Sequence, residues 1–234
     1  MTGPAIEHYA WNGGREAIIR HGPPTGPILV AALPLFEEAN RTRTFTVALM
    51  RALAGHGLAS ALPDLPGQGE SLAALDGMTL PRLAAAMAAA TDRLQAQGRP
   101  TYALGIRSGA LLDGKARHRG RWHFAPQTGA GLVRELHRTW RAAGGQGDHD
   151  AMLAAAPVEI AGTVLSADLL ASLASPPPEA DGPTRTIHLA GDRRPADRYV
   201  DAAPLWRLAE PGNDPALAAL LADDIADWIR RCEA

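Results

Sequence analysis

The chain holds a single cysteine, Cys232, in 234 residues. One thiol excludes an internal disulfide framework and fits a reducing compartment. Long apolar runs are missing as well. Segments such as Ile28 to Leu33 (ILVAAL) fall far short of the roughly 20 residues that a bilayer-spanning helix needs. The opening MTGPAIEHYA has neither the basic nor the apolar region of a secretory signal. With a net charge of −2 and no basic stripe interleaved with aromatics, a general nucleic-acid binder is excluded. His8, His21, His56, His118, His137 and His149 are scattered, and none pairs with a carboxylate at metal-ligand spacing. Neither a metal nor a cofactor is therefore expected, and no pattern in the chain sets an oligomeric state. No histidine follows His188, an absence that matters below.

What is present is a globular composition, 46% apolar and 21% charged, long enough to bury a sizeable core. The expectation is one soluble, cytoplasmic α/β domain over residues 1–234. Ile6 to His21 reads as a hairpin around the Asn12-Gly13-Gly14 turn. Ile28 to Leu33 reads as a strand covered on both faces. Phe45, Leu49 and Leu53 have helical spacing within Thr44 to His56, and Gly55 and Gly57 end that helix. A strand from Leu58 stops at Asp64, and an Ala-rich helix runs from Leu80 to Gln97. Further on, the pattern predicts a strand at Arg121 to Ala125 and a helix over Gly129 to Ala143. A short helix over Asp150 to Ala156, an extended piece from Val158 and a helix capped by Ser166 follow. Ser175-Pro176-Pro177-Pro178 reads as a surface linker. Strands at Thr186 to Ala190 and Pro204 to Leu208 precede a last amphipathic helix, Asp214 to Arg231.

The stretch around which these elements are organised is Thr101 to Leu112, TYALGIRSGALL. A short apolar strand runs through Gly105 into a small-residue bend and then into a predicted helix from Gly109. Upstream, Asp64 opens D-x-P-G-x-G-x-S, with Gly67, Gly69 and Ser71. Both phrases resemble α/β-hydrolases, in which a strand-turn-helix elbow of the form Gly-x-nucleophile-x-Gly presents the reacting group. The resemblance implies an α/β-hydrolase fold, with a mostly parallel central sheet and helices on both faces. It also implies a short helical cap, inserted at about residues 127–175 and limited to one or two helices.

The chemistry that usually rides on this fold does not follow. Between Gly105 and Gly109 the central residue is Arg107, and Ser108 stands one position late. Where the resemblance puts the triad acid, three residues after Gly191, the chain has Arg194. Where it puts the histidine, after Gly212, the chain has Asn213. Ser108 is then either a displaced nucleophile or a small helix-starting residue. His188 and His123 lie inside strands and read as packed core residues, and Asp192 is either an early acid or a turn residue. At the strand ends, Arg107 and the N-terminus of the helix behind it predict an anion site. Facing it stand Phe36, Glu37, Glu38 and Asn40. A buried guanidinium calls for a carboxylate, so Arg107 is expected to pair with Glu37 or Glu38.

Five stretches resemble a narrower group, the type-2 hydrolase-like proteins of the exosortase A system. They are PLFEEANRTR, LPDLPGQGES, GIRSGALL, GLVRELHRTWRAA and VEIAGTVLSADLLASL. That resemblance implies a link to protein sorting and exopolysaccharide assembly. The chain departs from it at Phe124-Ala125-Pro126, where the group tends to have Trp-Gln-Pro. The first functional reading is a hydrolase-fold protein without Ser-His-Asp machinery. It would bind an acidic or polar small ligand, or a partner's carboxylate, through Arg107, Glu37, Glu38, Asn40 and Phe36. The alternatives are an unorthodox ester, acyl or glycan-ester hydrolase reacting through Ser108, Glu37 or Glu38, and a scaffold with a vestigial pocket.

Overall fold

A computed structural model describes residues 3–175 and 180–234. Pro176 to Pro178 of the expected linker lie outside the described residues. The elements in chain order begin with strands β1 (Ala5–Trp11), β2 (Gly14–His21) and β3 (Ile28–Ala32), then helix α1 (Glu37–Gly55) and strand β4 (Ala59–Pro63). Helix α2 (Leu80–Gln95), strand β5 (Thr101–Ile106) and strand β6 (Arg121–Phe124) follow. The next segment holds α3 (Gly129–Ala142), α4 (His149–Ala154), β7 (Val158–Ile160), β8 (Thr163–Leu165) and α5 (Ala167–Ala174). Strands β9 (Thr184–Leu189) and β10 (Arg198–Val200) and helix α6 (Pro215–Glu233) complete the chain.

Eight strands form one sheet in the order β1-β2-β4-β3-β5-β6-β9-β10. The β1–β2 hairpin turns at Asn12-Gly13 and β2 joins β4 antiparallel, while every pair from β4 to β10 is parallel. Parallel strands need covering on both faces, and β3, β4 and β5 are buried throughout. Alternation divides the core in two. Leu29 and Ala31 face α1 and α6, where Phe45, Leu49, Leu221 and Ile225 pack. Ile28, Val30 and Ala32 face the other layer, with Leu83, Met87, Ala90 and Leu94 of α2. Because β3 lies between β4 and β5, the winding reverses there, which opens a crevice at the carboxyl ends of β3 and β5.

Four sequence expectations are corrected. The helix expected from Thr44 begins at Glu37, so both glutamates occupy a first helical turn, where the positive end of the helix dipole favours them. The helix expected behind the elbow is a single 3-10 turn, Arg107–Leu111. Asp113 leaves the helical path to reach His123 Nε2 at 2.8 Å, so no long helix follows the elbow to aim its N-terminus at the crevice. The last strand is Arg198–Val200 rather than Pro204–Leu208; Pro204 lacks an N–H for a ladder, and Leu205–Arg207 forms another 3-10 turn. Finally, the segment between β6 and β9 is larger than a cap of one or two helices. It contains α3, α4, α5 and the antiparallel β7–β8 hairpin. No helix among the described residues is long and apolar enough to cross a membrane.

The D-x-P-G-x-G-x-S loop is held from three sides. Arg43 donates to Asp64 Oδ1 at 3.1 Å, Tyr9 Oη donates to the Asp64 carbonyl at 2.7 Å, and Ser71 Oγ donates to Glu16 at 2.9 Å. At the opposite end of the sheet Asp224 of α6 is buried and accepts from Trp122 Nε1 at 2.9 Å, Arg185 Nε at 2.7 Å and Arg198 Nη1 at 3.0 Å. Burial alone would raise this carboxyl, but those donors outweigh it and leave it at about 2. Replacing it strands two guanidiniums and an indole N–H. Asp224→Ala is expected to cost about 3 kcal/mol in urea unfolding at neutral pH. Because the folded value lies below the ordinary 3.8, the Asp224 contribution is present above that pH and is lost as pH falls towards 2.

Candidate functional site

The elbow exists, with an arginine at its apex. Arg107 has φ 54°, a left-handed conformation that few side chains adopt without support. The flanking glycines are required by close approach. A Cβ on Gly105 would sit 2.7 Å from Ala110 Cα, and one on Gly109 would run into the Ala32 carbonyl oxygen.

The guanidinium of Arg107 is 8% exposed and meets two carboxylates. Its Nε and Nη2 donate to Glu38 Oε2 and Oε1, both at 3.2 Å, in a two-pronged contact. Nη2 also donates to Glu135 Oε2 at 3.0 Å. On another side the indole of Trp206 lies with its ring centroid 4.6 Å from Arg107 Cζ, a cation–π contact. Gln127 Nε2 donates to Glu135 Oε2 at 2.5 Å. Burial pushes the Glu38 carboxyl above its ordinary value; Arg107 pulls it back and Glu135 adds to the rise.

The expected Arg107–Glu38 pair is thus present. Glu37 turns instead to Arg41, one turn along α1. Asn40 is exposed and borders a separate small cleft with Arg43 and Asp64, so it is not brought to Arg107. Phe36 has φ 63° and its N–H donates to Gln68 Oε1 at 3.1 Å. Ser108 is fully buried, and its Oγ accepts the Leu35 N–H at 2.9 Å across the crevice floor. Asp192 forms a turn, accepting from Arg194 N at 2.9 Å and Arg194 Nη2 at 2.6 Å. Those Arg194 hydrogen bonds, working against burial, leave its carboxyl at about 2. His188 is buried, with Nδ1 3.2 Å from Asp192 Oδ2 but not aligned for a hydrogen bond; desolvation lowers its pKa.

Three site residues lie outside the sequence-based set: Glu135, Gln127 and Trp206. Glu135 lies within GLVRELHRTWRAA, on the helix expected over Gly129 to Ala143, where its spacing marks no contact with Arg107. Trp206 was assigned to a strand. Gln127 follows Pro126, so a glutamine does reach the site from just beyond β6.

Two cavities adjoin here. One, of about 640 Å³, is bordered by Arg107, Arg134, Arg138, Arg193, Arg194 and Arg207 against two acids, Glu135 and Asp192. The other, of about 460 Å³, lies between α1, α3 and the β7–β8 turn. Glu135, Arg138, Trp206 and Arg207 border both. Among the described residues, no histidine borders either cavity. Also among the described residues, four non-glycine residues have left-handed φ: Phe36, Arg107, Ala125 and Ala161. All four border one cavity or the other. Backbone strain concentrated in this way points to a functional site.

No family model matches the sequence, and no curated protein does. Among solved structures, Est1E from Butyrivibrio proteoclasticus, solved with ferulic acid, superposes with a TM-score of 0.60 at 13% identity, covering 96% of this chain and 98% of that one. A putative hydrolase from Agrobacterium vitis S4 superposes at 0.55 and 14% identity, with 98% of each chain covered. The fold is the α/β-hydrolase fold. The chain also matches the epoxide hydrolase VrEH1 from Vigna radiata, with a TM-score of 0.42 at 18% identity, over 52% of its own length and 39% of that protein's. In this fold the nucleophile crowns the elbow, and the backbone N–H after it joins an N–H of the loop after the third strand as an oxyanion hole. Here the loop N–H groups of Leu35 and Phe36 are engaged by Ser108 and Gln68 side chains.

The Arg107 cluster predicts a stability phenotype. Arg107→Ala leaves Glu38 and Glu135 without their shared cation and is expected to cost about 3 kcal/mol in chemical unfolding at pH 7. The double variant Arg107→Met/Glu38→Gln, which removes two opposite charges together, is expected to recover a measurable part of that loss. Glu38 also sets a pH slope. Between its ordinary value of 4.5 and the raised folded value, the folded state keeps a proton that the unfolded chain has released. Its contribution to stability therefore falls as pH rises through that interval, and Glu38→Gln should flatten this part of the unfolding profile.

Proposed function

We propose that this α/β-hydrolase-fold protein works without a standard Ser-His-Asp triad and binds an anionic small ligand in the space above Arg107. The observation that carries the reading is the imbalance around the larger cavity, six arginines against two acids. Arg107 and Arg194 are matched by Glu38, Glu135 and Asp192. Arg134, Arg193 and Arg207 have no salt bridge among the described residues. Guanidiniums unpaired at the mouth of a cavity attract and fork onto carboxylate, sulfate or phosphate. Arg107 then acts as the fixed floor of the site, held by its own carboxylates, and the rim arginines meet the ligand.

Three features support the absence of triad chemistry: a guanidinium at the elbow apex, Ser108 buried in a backbone hydrogen bond, and cavity walls without an imidazole. A second reading draws on Glu38, whose carboxyl is raised beside Glu135. It is a hydrolase that reacts through a glutamate instead of a serine. The link to exosortase-type sorting and exopolysaccharide assembly rests on the five sequence stretches alone, and a cytoplasmic location on the reducing compartment that a single cysteine fits.

A thermal-shift panel of phosphate, sulfate and citrate tests the first reading. A ligand at one hundred times its Kd contributes about 2.7 kcal/mol, a readily measured rise in Tm. That rise should shrink in Arg134→Ala/Arg193→Ala, whose positions are exposed and carry no core packing. Absence of stabilisation by every anion would sink it. A fluorophosphonate probe and a chromogenic short-chain ester test the chemistry. No labelling is expected; labelling that Ser108→Ala abolishes would restore a serine mechanism. Ester turnover lost in Glu38→Gln without labelling would favour the second reading.

A further inference from the structure

We propose that the two adjoining cavities form one site for a single-chain anionic amphiphile. The arginine-bordered lobe takes a dianionic, phosphate-class head, and the lobe between α1, α3 and the β7–β8 turn takes the hydrocarbon chain. The inference rests on the anion-binding reading above and adds to it the class of molecule recognised.

The lobes share a wall, since Glu135, Arg138, Trp206 and Arg207 border both. A ligand reaching both lobes would run along these four shared residues. The first lobe carries the charge. Arg134 and Arg193 border it alone, and neither has an acid partner among the described residues. Two unpaired guanidiniums beside Arg138 and Arg207 suit a head bearing two negative charges better than a single carboxylate.

The second lobe holds the larger apolar side chains alongside its charged ones. Leu35, Phe36, Leu132, Leu136, Ile160 and Trp206 supply its apolar wall. Its three acids are already matched, Glu37 by Arg41, Glu38 by Arg107 and Glu135 by Arg107 and Arg138, so no unpaired anion repels a ligand there. A hydrocarbon segment laid against these six side chains removes apolar surface from water, which favours each added methylene. The strained residues mark both ends of the combined space, Arg107 and Ala125 in the first lobe, Phe36 and Ala161 in the second. One ligand spanning both lobes would lie against the strained residues of each.

Titration calorimetry of the full chain with inorganic phosphate and with hexyl, octyl and decyl phosphate, each below its micelle concentration, tests this. Affinity is expected to rise about fourfold per added methylene until the lobe is full, the equivalent of 0.8 kcal/mol. Thr139→Trp, at an exposed helical position bordering only the second lobe, should remove the chain-length dependence and leave phosphate binding intact. Arg134→Ala/Arg193→Ala should weaken every phosphate at least about tenfold, the scale of one lost charged contact. Octanol and decanoate separate head from tail: octanol should bind weakly or not at all, and decanoate more weakly than decyl phosphate. If phosphates bind equally whatever their chain, or if Thr139→Trp leaves the dependence unchanged, this inference is overturned while the anion site stands. If no phosphate binds while sulfate or citrate does, this inference is overturned and the anion site stands; if no anion binds, both are overturned.

Discussion

A guanidinium withdrawn from water must be matched by carboxylates, and the carboxyl ends of this sheet are arranged around that requirement. Arg107 sits in a left-handed bend that leaves its side chain no other direction, between β5 and a single 3-10 turn. Glu38 reaches it from the first turn of α1 and Glu135 from α3. Trp206 closes the remaining side from the turn before α6. Three separate parts of the chain are thereby tied to one cation. The position of α3, and with it the segment between β6 and β9, depends on this contact as well as on the apolar packing of Leu132, Val133 and Leu136.

The same arrangement bears on chemistry. In an α/β-hydrolase the elbow apex and the loop after β3 cooperate, one offering a nucleophile and the other N–H groups for a developing oxyanion. Here the apex offers a cation already shared between two acids. The loop N–H groups of Leu35 and Phe36 donate to Ser108 and Gln68. Both halves are closed by internal bonds, and what faces outward is the arginine rim with its apolar neighbour. That division, a satisfied interior and an unsatisfied rim, is why binding is the better-supported reading.

Much of this architecture was legible in the chain. The hairpin turn at Asn12-Gly13, the buried strands β3 and β5, the cap at Ser166, and the two glycines around Arg107 all follow from short-range rules. Where those rules failed, the cause was a partner distant in sequence. Asp113 is drawn to His123 instead of continuing a helix, and Glu37 and Glu38 lie in a helical turn that begins without a side-chain cap. The stretch around Trp206 reads as a strand, yet Pro204 removes a donor and the indole is taken up by Phe124 and Arg107.

The sequence by itself determined the fold class, the bend with an arginine at its apex, and the lack of a late histidine, because each depends on residue type and local spacing. Only the tertiary structure decided which acids meet Arg107, since Glu38 lies 69 positions upstream and Glu135 lies 28 downstream. The strand order β4-β3-β5 brings the ends of β3 and β5 side by side, and no local pattern encodes that adjacency. Convergence of this kind is a property of topology, because a side chain's partners are set by where its backbone is carried.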